Sequence, residues 1–502
     1  FYTMKLGRFS SDRLDRVGNK QPHEYDPFRG AENQVDPLNR FFAVEGDYPL
    51  YREYRSQTYT FKGDLTSEKR SATSETGHRF KIGTQLDYHD LENFEAEFPD
   101  SNNPIGVRPD LYHVYAWGGA AYIQDRFTYE GMVLNAGLRW DFYDPGLKAV
   151  RLDNASRSAR FLPPNDISLG ARMKSQVSPR LGMAYPITDR DVLHFHYGRF
   201  YQLPSLSNLY ESIGASNVQP GQAFGNVQLE PTKQISYELG VDHQLTRTLS
   251  LDMTIFFKDI FGWIDTEEDL NGTLAGVGQD ASITYVNAAY GTVKGLEFKL
   301  RHKFKNKFGG SVVYTLSRAT GTHSDGNTSQ LVGTGQLNRA PLTENPLDWD
   351  RTHAVVANLI LSDPGVWEVS ADYTYQSAGP FTPQFFNQRE TLAEQINTGR
   401  LTDEAWLDLR ANKLYSMYGQ EFRMFVEGRN LLARDNINDF SPGVWPTNPG
   451  LYAEYFTEEG ELGGAYNLNE INSSSESQYI PLNDPRVFDP GRQIKLGVMF
   501  DW

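Results

Sequence analysis

His194 and His196 stand two residues apart in a segment of apolar–polar alternation, so on a strand they share a face and could present two imidazoles to a metal ion. Ordinary polar strand positions account for the pair more simply. Asp265, Glu267, Glu268 and Asp269, followed by Asn271-Gly272, gather carboxylates of the kind that bind calcium. They lack the Asp-x-Asp-x-Asn-Gly spacing and terminal Glu of an EF-hand, so a solvated acidic loop is the better reading. Ser, His and Asp occur throughout, yet no G-x-S-x-G elbow or H-E-x-x-H helix is present, and the glycines of GVGQDAS and GTGQ follow no βαβ context. No catalytic residue, cofactor or resident metal is therefore expected. The stretch 433–489 holds ten acidic residues against Arg434 and Arg486, a net −8 that is half of the chain's −16. A solvated face bridged by divalent cations explains it plainly; contact with a basic or peptide partner is the sharper reading.

Composition narrows the classes further. The 502 residues include 30 Phe, 28 Tyr, 8 Trp, 44 Gly and no Cys, with 64 acidic and 48 basic side chains. Without cysteine there is no disulfide scaffold, thiolate metal site or cysteine nucleophile. The acidic balance argues against nucleic acid, which needs clustered Lys and Arg. Mean hydropathy is −0.55, and no stretch approaches the roughly 20 apolar residues of a spanning helix. Length alone fits about three globular domains or one large barrel. The start at Phe1 lacks a charged, apolar, cleavable leader, so a mature chain or a fragment is expected.

The elements that must carry these residues are strands. At the C-terminus Ile494, Leu496, Val498, Phe500 and Trp502 alternate with Gln493, Lys495, Gly497, Met499 and Asp501. The same period-two pattern sets Leu138 and Trp140 against Arg139 and Asp141, and Tyr237, Leu239 and Val241 against Glu238, Gly240 and Asp242. Further on, Leu296, Phe298 and Leu300 flank Glu297, Lys299 and Arg301. Sixteen strands are expected, at 1–10, 57–67, 77–90, 113–128, 131–143, 177–186, 190–200, 233–246, 248–264, 284–303, 307–320, 351–362, 366–378, 404–415, 419–431 and 490–502. Their connections alternate long and short. An outer-membrane β-barrel requires that rhythm, with an apolar face toward lipid and a polar face toward a wet lumen; a soluble sandwich has no reason to keep it. The fold class is thus all-β, a transmembrane antiparallel barrel, with Arg139, Asp141, Glu238, Asp242, Glu297, Lys299 and Arg301 as candidate lumen-facing charges.

Several segments resemble the barrel of TonB-dependent outer-membrane receptors: SPRLGMAYPITDRDVLHFHYGRFYQLPS, AAYIQDRFTYEGMVLNAGLRWDFYDPG, LEPTKQISYELGVDHQL, VNAAYGTVKGLEFKL and LDLRANKLYSMYGQEFRMFVEGRNLLARDN. The terminal strand is similar to the outer-membrane insertion signal, with Ile494, Leu496, Val498 and Phe500 as its alternate apolar residues and Trp502 in place of the commoner final Phe. Within that superfamily YTFKGDLTSEKRSATSETGHRFKIGTQLDYHDLENF and NPLDWDRTHAVVANL resemble the Oar-like branch.

The resemblance implies a 22-stranded barrel filled by an N-terminal plug that opens with an energy-coupling box. Neither plug nor box is legible here, and sixteen strands fall six short. Residues 1–502 are therefore expected to be the barrel portion of a longer receptor in a Gram-negative outer membrane. The implied partners are membrane lipid and lipopolysaccharide, the TonB energy-coupling complex acting through the missing N-terminal region, and a surface lipoprotein or other protein at the extracellular loops. The implied activity is energised transport of a peptide, protein or nutrient ligand. A passive 16-stranded porin, a SusC-like receptor and a scaffold barrel in a larger assembly remain alternatives.

Overall fold

Alternating Leu, Val and aromatic residues pair into one antiparallel sheet, because period-two sequences bury one side of each ladder only when neighbouring strands share the pattern. The computed structural model describes residues 1–26, 29–30, 43–45, 47–48, 50–70, 76–99, 110–159, 164–213, 223–268, 283–324, 326, 328–333, 337, 339–382, 392–418, 420–434, 436 and 491–500. Its long strands are β1 (Tyr2–Asp15), β2 (Leu50–Arg70), β3 (Gly77–Glu97), β4 (Asp110–Tyr129), β5 (Met132–Asp144), β6 (Lys174–Pro186), β7 (Asp191–Gln202) and β8 (Thr232–Gln244). They continue as β9 (Leu249–Glu268), β10 (Ile283–Lys305), β11 (Phe308–Gly321), β12 (His353–Asp363), β13 (Trp367–Gln376), β14 (Glu404–Met417), β15 (Gln420–Arg429) and β16 (Gln493–Phe500).

Each strand pairs antiparallel with the next in this series. Among the described residues no pairing joins β1 to β16, so the first and last strands each keep one edge unpaired. The short connections all lie at one end of the sheet. Two of them are two-residue turns, Glu130-Gly131 and Asn306-Lys307, with both central residues at positive φ (45° and 82°; 52° and 66°). That conformation matches the twist of adjoining antiparallel strands.

All sixteen expected strands are present, but several run past their expected ends. β2 and β3 pair from Leu50↔Glu97 onward, so residues 50–56 and 91–97 extend the hairpin where 11–56 and 91–112 were expected to be loop. There Arg52 donates from Nε and Nη2 to the two Glu95 oxygens, each at 2.7 Å. In this extension apolar and charged residues mix on each face, Leu50 with Arg52, Tyr51 with Glu53, Leu91 with Glu95 and Phe94 with Glu92, which removes the period-two signal that marks a strand in sequence. The long connections also carry short helices: α1 (Leu147–Ala159), α2 (Leu169–Arg172), α3 (Leu206–Tyr210) and α4 (Thr328–Gly333).

Candidate functional site

Residues paired across a ladder share a face, so register traces one face across the sheet. Arg139 opposes Ser178, Arg180 opposes Gly198, Gly198 opposes Ser236, Glu238 opposes Phe256, and Thr254 opposes Glu297. Arg139, Asp141, Glu238, Asp242, Glu297, Lys299 and Arg301 therefore lie on one side. On the other side Leu138, Trp140, Tyr237, Leu239, Ile255, Phe257, Phe298 and Leu300 are between 36% and 57% exposed. So large an uncovered apolar area is foreign to a monomeric soluble protein. Ile494, Leu496, Val498 and Phe500 fall on that apolar side, through Val498↔Met424, Met424↔Lys413, Lys413↔Trp367 and Trp367↔Asp363. Trp502 lies outside the described residues, as does most of the acidic stretch 433–489.

The polar face is held by short-range ion pairing. Arg139 Nε donates to Asp141 Oδ1 at 2.8 Å, and the Lys81 ammonium lies 3.4 Å from Asp64, whose carboxylate also accepts from the Tyr122 hydroxyl. A cavity of about 640 Å³ opens here, with Lys62, Lys81, Arg139 and Arg180 on its wall beside Glu238 and His196. His194 Nε2 sits 3.6 Å from Asp242. No cluster of three His, Asp or Glu side chains fit to hold a metal occurs among the described residues. In the acidic stretch Asp265 turns to protein groups, accepting from the Thr328 amide at 3.0 Å and lying 3.1 Å from His323 Nε2, while Asp269, Asn271 and Gly272 lie outside the described residues.

The long connections fold onto the polar face. Ala149 and Val150 of α1 and Leu209 and Tyr210 of α3 are fully buried against Val114 and Ala116 of β4 and Tyr143 of β5. The Tyr210 hydroxyl hydrogen-bonds the Tyr143 hydroxyl and reaches the Pro145 carbonyl. After α3, the Ser212 amide donates to Asp110 Oδ1 at 2.8 Å, and Glu211 accepts from the Tyr285 hydroxyl at 2.9 Å. Burial pushes the Glu211 carboxyl above its usual range, outweighing the Tyr285 hydrogen bond that lowers it.

A second latch is built from the segment Asn345–Arg351. Asp350, 1% exposed, accepts from the Ala319 amide at 2.7 Å and from Arg400 Nη2 at 2.7 Å. Asn397 Nδ2 donates to the Pro346 carbonyl at 2.8 Å and to Asp348 Oδ1 at 2.6 Å. Leu347, also 1% exposed, anchors the segment through its amide to Ala319 O.

These two latches flank a cavity of about 1020 Å³. Phe200 and Gln234 reach it from the strands, Ser205 and Asn208 from the connection after β7, and Trp349 from the Asp350 latch. Trp263 arrives by an irregularity. Strict alternation would send it to the apolar side with Phe257 and Phe261, but the register shifts between Phe261 and Trp263, at Gly262 with φ +62°, so that Trp263 opposes Ala289. An extra residue at a bulge reverses the facing of the side chains beyond it. Sequence alternation offers no signal for this cavity, apart from the Trp349 of NPLDWDRTHAVVANL.

A family model described as TonB dependent receptor-like, beta-barrel, matches residues 17–431. No curated protein matches the chain. Among solved structures, the outer membrane transporter YddB from Escherichia coli superimposes with a TM-score of 0.55 at 11% identity, over 77% of this chain and 52% of that one. The FpvAI-pyocin S2 complex gives 0.53 at 12% identity, over 99% and 54%. A double mutant of the Serratia marcescens hemophore receptor HasR, in complex with its hemophore HasA and heme, gives 0.50 at 14% identity, over 78% and 58%. The chain thus spans little more than half the length of these structures, and at such identities the likeness is one of fold.

Proposed function

Because the chain belongs to the TonB-dependent receptor-like β-barrel family, a family of outer-membrane transporters rather than enzymes, we propose that it is the barrel wall of an energised receptor that imports a ligand. The observation that carries this reading is the division of one sixteen-strand sheet into an uncovered apolar face and a charged face onto which the long connections fold. A sheet with that division, once closed into a barrel, satisfies its backbone groups in lipid and keeps a polar interior. In this reading Arg139, Asp141, Glu238, Asp242, Glu297, Lys299 and Arg301 line the lumen, where their charges set its polarity and hold a plug. Ile494, Leu496, Val498, Phe500 and Trp502 form the strand read during outer-membrane insertion.

The unpaired edges of β1 and β16 support a barrel larger than sixteen strands, completed by strands and a plug from outside residues 1–502. They weigh against a closed 16-stranded porin, whose first and last strands would pair. The TonB energy-coupling complex engages that outside region, lipopolysaccharide surrounds the apolar face, and a protein partner meets the long loops. The motifs of residues 59–94 and 345–359 favour the Oar-like branch. The test is uptake by cells expressing the full-length receptor. Import should stop when the proton motive force is collapsed, and persistent import would identify a passive pore.

A further inference from the structure

The two cavities on the polar side differ in chemistry. The smaller is ringed by Lys62, Lys81, Arg139, Arg180 and Glu238; the larger has no charged side chain among its described lining residues, in a chain that is 22% charged. Its wall combines indole and phenyl surfaces with side-chain amides and hydroxyls. Trp263 and Trp349 meet with ring centroids 5.6 Å apart and planes at 54°, forming an angled platform, and Trp349 is 48% exposed. Phe200, 40% exposed, lies between the two cavities, with the Arg180 guanidinium 5.0 Å from its ring centroid. Gln234, Asn208 and Ser205 supply donors and acceptors around them.

We propose that this cavity binds a neutral, polyhydroxylated ligand, an uncharged oligosaccharide, with sugar rings stacked on Trp263 and Trp349. Pyranose rings carry apolar C–H faces that stack on aromatics, and a rim of hydroxyls that needs uncharged hydrogen-bonding partners. An anionic chelate would meet no cationic side chain among the described lining residues and would lose hydration there uncompensated. A volume of about 1020 Å³ accommodates several rings. The bulge at Gly262 matters here, since without it Trp263 would face the apolar side. Trp349 is carried by the Asp350 latch, so the platform is set before ligand arrives.

This assignment names the ligand class of the receptor proposed above and rests on that reading for its transport role, so binding and uptake are measured separately. Purified full-length receptor in detergent is titrated against a panel of neutral gluco-, manno- and chito-oligosaccharides, followed by tryptophan fluorescence and calorimetry. Ferric citrate and choline are titrated as an anion and a cation. Neutral oligosaccharides should bind and shift the indole emission. Trp349→Ala, at a position 48% exposed, should weaken binding roughly tenfold with unchanged far-UV circular dichroism, and Trp349→Phe should largely restore it. The inference is overturned if no neutral oligosaccharide binds at millimolar concentration, if binding survives Trp349→Ala unchanged, or if citrate or choline binds in a Trp349-dependent way. Oligosaccharide binding without energised uptake would uphold this inference and sink the transport reading; energised uptake without such binding would do the reverse.

Discussion

Replacing Asp350 with alanine should unlock the segment Asn345–Arg351 from the sheet while leaving the distant strands intact. The carboxylate is 1% exposed and accepts two hydrogen bonds, from the Ala319 amide and from Arg400, both at 2.7 Å. Its removal leaves the buried Ala319 N–H unpaired, which costs about 1–3 kcal/mol. Arg400 is 38% exposed at its side chain and can turn to water, so its half of the pair adds only about 0–1 kcal/mol. The free energy of local opening should fall by about 1–4 kcal/mol, equivalent to roughly five- to thousandfold faster amide exchange where exchange follows local opening. Hydrogen-exchange mass spectrometry on the full-length receptor reads this in peptides covering 316–322 and 345–352, with 132–144 as the internal reference. Asp350→Asn keeps one acceptor and should fall between, and Arg400→Ala, which strands the buried Asp350 carboxylate, should also speed exchange in 345–352. Because Trp349 adjoins the latch, oligosaccharide binding should weaken in parallel. Equal acceleration in all three peptides, or none in any, would refute the latch.

Gly262 sits at φ +62° with nothing closer than 3.8 Å to an added Cβ, so Gly262→Ala costs only backbone strain, about 1–2 kcal/mol. If the strand escapes that strain by flattening its bulge, Trp263 leaves the cavity, and its quenching by lipid-soluble brominated detergent should rise. The Glu211 carboxyl titrates above its usual range, so the folded state binds the extra proton. Its contribution is complete below the ordinary Glu pKa of about 4.3 and is lost as pH rises through the elevated value. Exchange protection of residues 206–213 should therefore decline with rising pH in the native protein, and Glu211→Gln should flatten that decline. With no cysteine in residues 1–502, single substitutions there report facing. Glu238→Cys and Lys299→Cys should react with charged, water-soluble thiol reagents in membranes, and Leu239→Cys and Phe298→Cys only with lipid-soluble ones. The reverse pattern would overturn the register.

Period-two alternation is a local property of the chain, so it was readable wherever one face is apolar and the other charged. That is why Leu138 and Trp140 could be separated from Arg139 and Asp141, and why the sixteen strands emerged in order from sequence alone. Where apolar and charged residues mix on both faces, as along Leu50–Ser56 and Leu91–Glu97, the signal vanishes and the strands run past their expected ends. The facing of Trp263 was equally illegible, because the register shift at Gly262 turns it to the polar side, and a glycine in a strand does not announce whether it bulges. The cavity itself exists only in three dimensions. It joins Phe200, Asn208, Trp263 and Trp349 across 150 residues of chain, held by the Asp350–Arg400 and Glu211–Tyr285 contacts. The sequence by itself determined the strands and their two faces, since these depend on neighbours in the chain. Only the tertiary structure decided what the loops enclose, since that depends on which distant residues meet.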